Sequence, residues 1–344
     1  MTRTAVLICP GRGTYNKPEL GYLHRHHAQR MDLFHSFDAI RTETGQEAVT
    51  ALDGASRYAV SKYSRGDVAS PLIYAASLSD AQALADDIEV VAVTGNSMGW
   101  YTALAAGGAL SPQGGFRVVN TMGTLMQEQL IGGQLVYPFV GDNWQNDATR
   151  KVELLADIAQ INATNGCDLA LSIDLGGMLV LAGNEAGLAA FEVSQPVVQE
   201  RFPMRLANHA AFHTSLQAPV AAEGRARLSL DLFGQPEFPL IDGRGKIWWP
   251  GATDTRALWG YTLGHQVTET YDFTRAIQTA AHEFAPDLFI VTGPGATLGG
   301  AVAQSLVLVN WKGLSDKAAF QAQQEVEPFL IAMGRDDQRA LVTG

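Results

Sequence analysis

One short stretch constrains this chain more than any other. The run Ile88 to Thr94, apolar and rich in valine, ends without a linker in Gly95-Asn96-Ser97-Met98-Gly99, and helix formers follow from Trp100 to Ala106. So short and β-branched a run reads as a buried strand, and the order strand, sharp turn, helix is an α/β signature. In that context a GxSxG turn projects the serine hydroxyl outward and aims the next backbone N–H groups at the same spot, where an oxyanion can sit. Ser97 is therefore the candidate nucleophile. With 35 glycines in the chain, glycine-flanked serines also arise by chance, so the strand and helix on either side carry the argument.

The rest of the chain fits the same class. Ala5 to Cys9 reads as a second buried strand, stopped by Pro10-Gly11-Arg12-Gly13. Phe116 to Leu130 places Phe116, Val119, Met122 and Met126 at helical spacing on one face. From about residue 134 to 206 the pattern changes to short strand-like and helix-like runs in alternation, which suggests a small α+β insert with two helices on an antiparallel sheet. Beyond it come a helix-like Thr214 to Leu228, a loop-rich stretch from Gly234 to Thr262, and a last apolar strand, Asp287 to Thr292, ending at Gly293-Pro294-Gly295. The expected fold is α/β, a hydrolase-like core with a mainly parallel sheet over residues 1–133 and 207–344, interrupted by a subdomain over 134–206.

Charge and cysteine usage exclude several functions. The formal net charge of −11 repels nucleic acid and anionic membrane surfaces. Cys9 and Cys167 are far apart, with no CxxC or HxxxH spacing nearby, so neither a zinc site nor any other metal is expected, and both read as buried thiols. The apolar stretch near the start is too short for a signal or membrane segment, and a cytoplasmic location is the default expectation.

A serine needs a base. His24, His26 and His27 stand among arginines and read as solvated surface. His209 and His213 lie at the start of an expected helix, whose N-terminus disfavours an imidazolium and helps keep a base neutral. Spacing alone does not separate these two.

Four separated motifs do. Pro10-Gly11-Arg12-Gly13, the GxSxG turn, Phe212-His213-Thr214-Ser215-Leu216 and Gly293-Pro294-Gly295 stand in the order and spacing of the malonyl-CoA:acyl carrier protein transacylases. The chain resembles that family over roughly residues 4 to 310, and the insert falls where the family carries a ferredoxin-like subdomain. The resemblance implies Ser97 as the acylated nucleophile and His213 as its base, oriented by a backbone carbonyl near Thr262, in the Tyr261 to Val267 segment. It implies an oxyanion hole from the N–H groups of Met98 and Arg12, with arginine standing where the family has glutamine. Acyl-CoA is then the donor substrate and the phosphopantetheine thiol of an acyl carrier protein the acceptor, with no separate cofactor.

The acyl pocket departs from the resemblance. Where malonyl-selective members carry a carboxylate-binding arginine, this chain has Met122, and Arg117 lies about 140° away around the helix. Leaving a buried carboxylate unpaired costs on the order of 3 to 5 kcal/mol. An uncharged acyl group is the favoured reading; a swing of Arg12 into the site, or plain core packing of Met122, are the alternatives. Asp174 stands where the resemblance leads one to expect asparagine near the pocket, and it would further repel malonate. An acyl-thioester hydrolase would use the same Ser-His pair. An α/β-hydrolase esterase and a non-catalytic carrier-protein docking subunit are the rivals of other classes. Docking an acidic carrier protein needs basic residues, for which Arg201, Arg205, Arg225 and Arg244 are candidates.

Overall fold

The computed structural model describes residues 2–344. Its strands are β1 (Arg3–Cys9), β2 (Ile88–Gly95), β3 (Gly133–Pro138), β4 (Leu169–Leu175), β5 (Met178–Gly183), β6 (Met204–Arg205), β7 (Leu240–Ile241), β8 (Ile247–Trp248), β9 (Tyr271–Asp272), β10 (Leu288–Val291) and β11 (Leu330–Ala332). They form two sheets, ordered β11-β10-β1-β2-β7-β8 and β6-β3-β5-β4-β9. In the first, every pairing from β11 to β7 is parallel and only β8 runs against its neighbour.

The central strands are continuous apolar runs because they are buried. Ala5, Val6, Leu7, Ile8 and Cys9 are all in the core, as are Leu288 to Val291. The helices Gly99–Ala106 and Phe273–Phe284 pack on β2.

The second sheet is built mostly by the expected insert. β3, the helix Ala148–Asn162, β4, β5, the helix Glu185–Ser194 and β6 follow one another in chain order. The sheet does not end with them. β9 comes from the later part of the chain and pairs parallel with β4 at Ile173↔Tyr271 and Asp174↔Asp272, so backbone hydrogen bonds tie the insert to the segment following the candidate base.

Three details differ from the sequence reading. Thr214 to Leu228 divides into a 3-10 turn, Ser215–Gln217, and a helix, Ala218–Arg227, whose first turn holds Pro219, a residue suited to that position. The stretch after Gly234 contains β7, β8 and a helix, Thr255–Gly260, capped by the Asp254 carboxylate. A further strand, β11, lies beyond Gly293-Pro294-Gly295; three residues are too few for a periodic signal. No helix among the described residues is long and apolar enough to cross a membrane.

Candidate active site

Because β1 and β2 are neighbours, the loops leaving their C-terminal ends meet. The Asn96 N–H donates to the Cys9 carbonyl at 2.9 Å. A Cβ on Gly11 would stand 2.7 Å from the Asn96 oxygen, and one on Gly99 only 2.1 Å from the Cys9 oxygen, so this approach requires glycine at both places. Between them Ser97 adopts φ 53°, the left-handed region that non-glycine residues rarely occupy, and this turn lifts its side chain out. The backbone N–H groups of Arg12 and Met98 make no intramolecular hydrogen bond among the described residues, and both residues line the same cavity as Ser97.

Of the two histidines left open by spacing, His213 reaches the serine: Ser97 Oγ and His213 Nε2 are 2.8 Å apart. The opposite ring nitrogen, Nδ1, donates to the Gln266 carbonyl at 2.5 Å, which leaves Nε2 to accept the serine proton. The orienting carbonyl is thus that of Gln266, inside the expected Tyr261 to Val267 segment but four positions beyond Thr262. The reason is local. Tyr261–His265 is a π-helical turn, and the helix it feeds ends at Thr268, so the carbonyls of Gln266 and Val267 lie in a last turn with no intrahelical donors of their own. His213 satisfies both, through its ring and through its backbone N–H to Val267 at 2.9 Å. Thr262 lies earlier, and its hydroxyl accepts from Trp100 Nε1 at 3.0 Å.

Burial pushes the His213 pKa down to about 4, against the raising effect of the Gln266 carbonyl. His213 is therefore neutral, but not by way of a helix N-terminus. His213 sits in a turn at φ 62°, and the helix begins only at Ala218.

Gln266 contributes a second contact that the sequence reading missed. Its carboxamide Nε2 donates to the Ser97 carbonyl at 3.1 Å, while its Oε1 accepts from the Tyr101 hydroxyl at 3.0 Å. One residue therefore touches both members of the pair. The available signal is only a glutamine within the same Tyr261 to Val267 segment as the expected carbonyl.

Ser97 opens on a cavity of about 130 Å³ whose apolar wall includes Met98, Met122, Met126, Ile173, Val180 and Phe212. Met122 is 1% exposed and points its sulfur at Gly224. Asp174 does not line this cavity. Its strand neighbours Ile173 and Leu175 do, and alternate residues of a strand face opposite sides. The Asp174 carboxylate instead pairs with Lys151 and accepts from Thr274 Oγ1 at 2.7 Å. Arg117 is also elsewhere, paired with Glu43 on the surface.

The Arg12 side chain does enter the cavity wall. Its guanidinium donates to the carbonyls of Ser64 and Asn208 at 2.5 and 2.8 Å and contacts Met126 Sδ at 2.7 Å. Burial lowers its pKa to about 10, with Asp67 acting in the opposite sense. His209 also lines the cavity, its Nδ1 on the Ala207 carbonyl at 2.9 Å; burial and then the Arg12 charge hold its pKa down to about 3.

The first histidine cluster is less superficial than expected. His24 is exposed and bonds Asp53, but His27 is fully buried on Asp80, because Arg339 and Tyr22 converge on the same carboxylate. Among the described residues no group of three or more His, Cys, Asp or Glu could hold a metal ion.

Two of the four candidate docking arginines are charge-compensated: Arg205 by Glu185 and Glu192, Arg244 by Asp242. Arg201 lies over the Phe202 ring at 4.6 Å. Arg225 is exposed at its helix, against the Tyr261–His265 turn at Gly264.

No protein-family model and no curated protein matches the chain. Solved structures do. The malonyl-CoA:ACP transacylase of Synechocystis sp. PCC 6803 superposes with a TM-score of 0.74 at 17% identity, covering 98% of this chain and 100% of that one. The malonyl-CoA:acyl carrier protein transacylase of Xanthomonas oryzae pv. oryzae gives 0.73 at 19% identity, covering 99% and 98%. A malonyl-transacylase solved in complex with a type II polyketide synthase acyl carrier protein gives 0.69 at 19%, covering 94% and 100%. At such identities the likeness is one of fold, and it extends over essentially the full length of both chains.

Proposed function

We propose that this chain is an acyltransferase that moves an acyl group from CoA to an acyl carrier protein through an ester on Ser97. The observation that carries the reading is the 2.8 Å contact between Ser97 Oγ and a histidine whose other nitrogen is held by a main-chain carbonyl. Ser97 attacks the thioester carbonyl as His213 Nε2 takes the hydroxyl proton. The C–S bond then breaks, and the proton passes to the departing CoA sulfur. The carrier's thiol repeats the sequence in reverse, giving its proton to His213 and regenerating the serine. The unpaired N–H groups of Arg12 and Met98 are suited to stabilise the oxyanion in both halves. Among the described residues no carboxylate bonds the histidine; the last-turn carbonyls of Gln266 and Val267, at the negative end of a helix, favour the imidazolium as it forms.

The acyl group is an uncharged one in this reading. The cavity wall is largely apolar, Met122 stands at its side, and the Arg12 fork is engaged by Ser64, Asn208 and Met126 rather than pointing at empty space. An acidic carrier protein as acceptor is supported by the fold and by the exposed Arg225 near the site's helical turn.

The test compares kcat/KM for malonyl-CoA and acetyl-CoA with a phosphopantetheinylated carrier protein as acceptor. Acetyl is expected to match or exceed malonyl. A preference for malonyl above about tenfold, some 1.4 kcal/mol, overturns the uncharged-acyl reading and hands the carboxylate to Arg12. Release of free acid in place of acyl carrier would make the enzyme a hydrolase.

A further inference from the structure

A second cavity, of about 310 Å³, lies beside the acyl cavity and plays no part in the chemistry above. Its wall is aromatic: Tyr15 and Tyr63 are almost fully buried, their rings stacked with centroids 6.0 Å apart, and Tyr58 stacks on Tyr63 at 4.8 Å. The two spaces are separated by very little. Arg12 lines one and Gly13 the other; Ser70 lines one and Ala69 the other; His209 lines both. The Ser64 carbonyl that receives the Arg12 guanidinium belongs to a residue of the second cavity. Arg12 and His209 are also close enough for the arginine charge to depress the histidine pKa.

We infer that Arg12 and His209 form a partition that limits the acyl chain, so that the enzyme takes short acyl groups and excludes medium and long ones. The inference rests on Ser97 being the acylated residue and adds the size of the group it accepts. A cavity of about 130 Å³ is comparable to the roughly 150 Å³ space that holds one benzene. That leaves room for a tail of about four to six carbons. A longer chain would have to pass where the guanidinium now lies, and the two carbonyls and the thioether that hold the guanidinium oppose its displacement. Beyond it the tyrosine-lined cavity would accept the rest of the chain.

The experiment reads pocket depth without depending on the natural substrate. Alkyl phosphonofluoridates with ethyl, butyl, octyl and dodecyl chains are reacted with the full chain, with Arg12→Ala and with His209→Ala, and labelling of Ser97 is timed by intact mass. Wild type is expected to label at least about tenfold more slowly with octyl than with butyl, since one methylene too many in a closed pocket already discriminates about tenfold. In each variant the octyl-to-butyl ratio should rise about tenfold, whatever happens to the absolute rate. Because Arg12→Ala also removes a clamp between three segments, His209→Ala keeps the question open to refutation if the first variant does not fold. Equal labelling by octyl and butyl in wild type, or an unchanged ratio in the folded variants, overturns the partition. Absence of label at every chain length, or label that survives Ser97→Ala, is a different failure and removes the nucleophile assignment and the partition together.

Discussion

The two ends of the cavity are built by different means. At the Ser97 end, geometry is held chiefly by main chain: glycines that let two loops touch, a left-handed serine, and a histidine pinned by two helix-end carbonyls, with the Gln266 carboxamide as the side-chain addition. At the acyl end, Met122, Met126, Arg12 and His209 do the shaping, and these are side chains replaceable one at a time. If the proposed reaction holds, the first end can change little without losing it, while the second can change what is transferred and leave the reaction standing.

Substitutions should separate the ends by what they alter. Ser97→Ala is expected to lower acyl transfer by about 10³-fold or more for every acyl donor, measured as acyl-carrier formation by mass. Next in size, Gln266→Met keeps the carbonyl on His213 but removes the carboxamide from the Ser97 carbonyl. It should lower kcat about tenfold to hundredfold with KM little changed, as expected for a misplaced reacting group; a steady-state KM and kcat split checks it. At the other end, Met122→Arg should move the malonyl-to-acetyl kcat/KM ratio toward malonyl by about tenfold or more, with acetyl transfer falling less than the ratio moves. A loss of all transfer in that variant would erase the distinction between the ends.

Acidity gives the smallest effect. With its pKa at about 4, His213 stays neutral as pH falls to about 5, so kcat/KM should hold level there and decline only as pH approaches 4. Stability should respond earlier. His209 and His213 both have folded pKa values below the roughly 6.5 of an unfolded histidine. Their contribution is thus complete above pH 6.5 and is lost as pH falls toward 4 and 3. Thermal melts from pH 7 to 4.5 should show a falling Tm while the rate is still flat.

How much of this was legible in the sequence follows the same division. The strand-turn-helix at Ser97 and the buried strand before Arg12 are local patterns, and local patterns survive into the fold. Choosing His213 over His209 needs the order of four motifs, since His213 is buried, His209 half-buried, and both are held neutral. The segment that supplies the orienting carbonyl is legible through the resemblance, but the residue within it is not: a π-helical turn shifts which carbonyls are left unpaired, from near Thr262 to Gln266, and no residue type announces that shift. The resemblance puts Asp174 near the pocket, and the alternation of its strand turns it away. The sequence offers Arg12 as an oxyanion-hole N–H and as a side chain that could swing into the site; its place as a wall depends on Ser64 and Asn208, far away in the chain.

The central claim is an acyl ester on Ser97, and intact mass spectrometry addresses it directly. After brief incubation with acetyl-CoA, malonyl-CoA or a medium-chain acyl-CoA, the wild-type chain is expected to gain an acyl mass, strongest with acetyl, and Ser97→Ala none. An adduct that persists in Ser97→Ala, or the absence of both adduct and free acid from wild type, would contradict it.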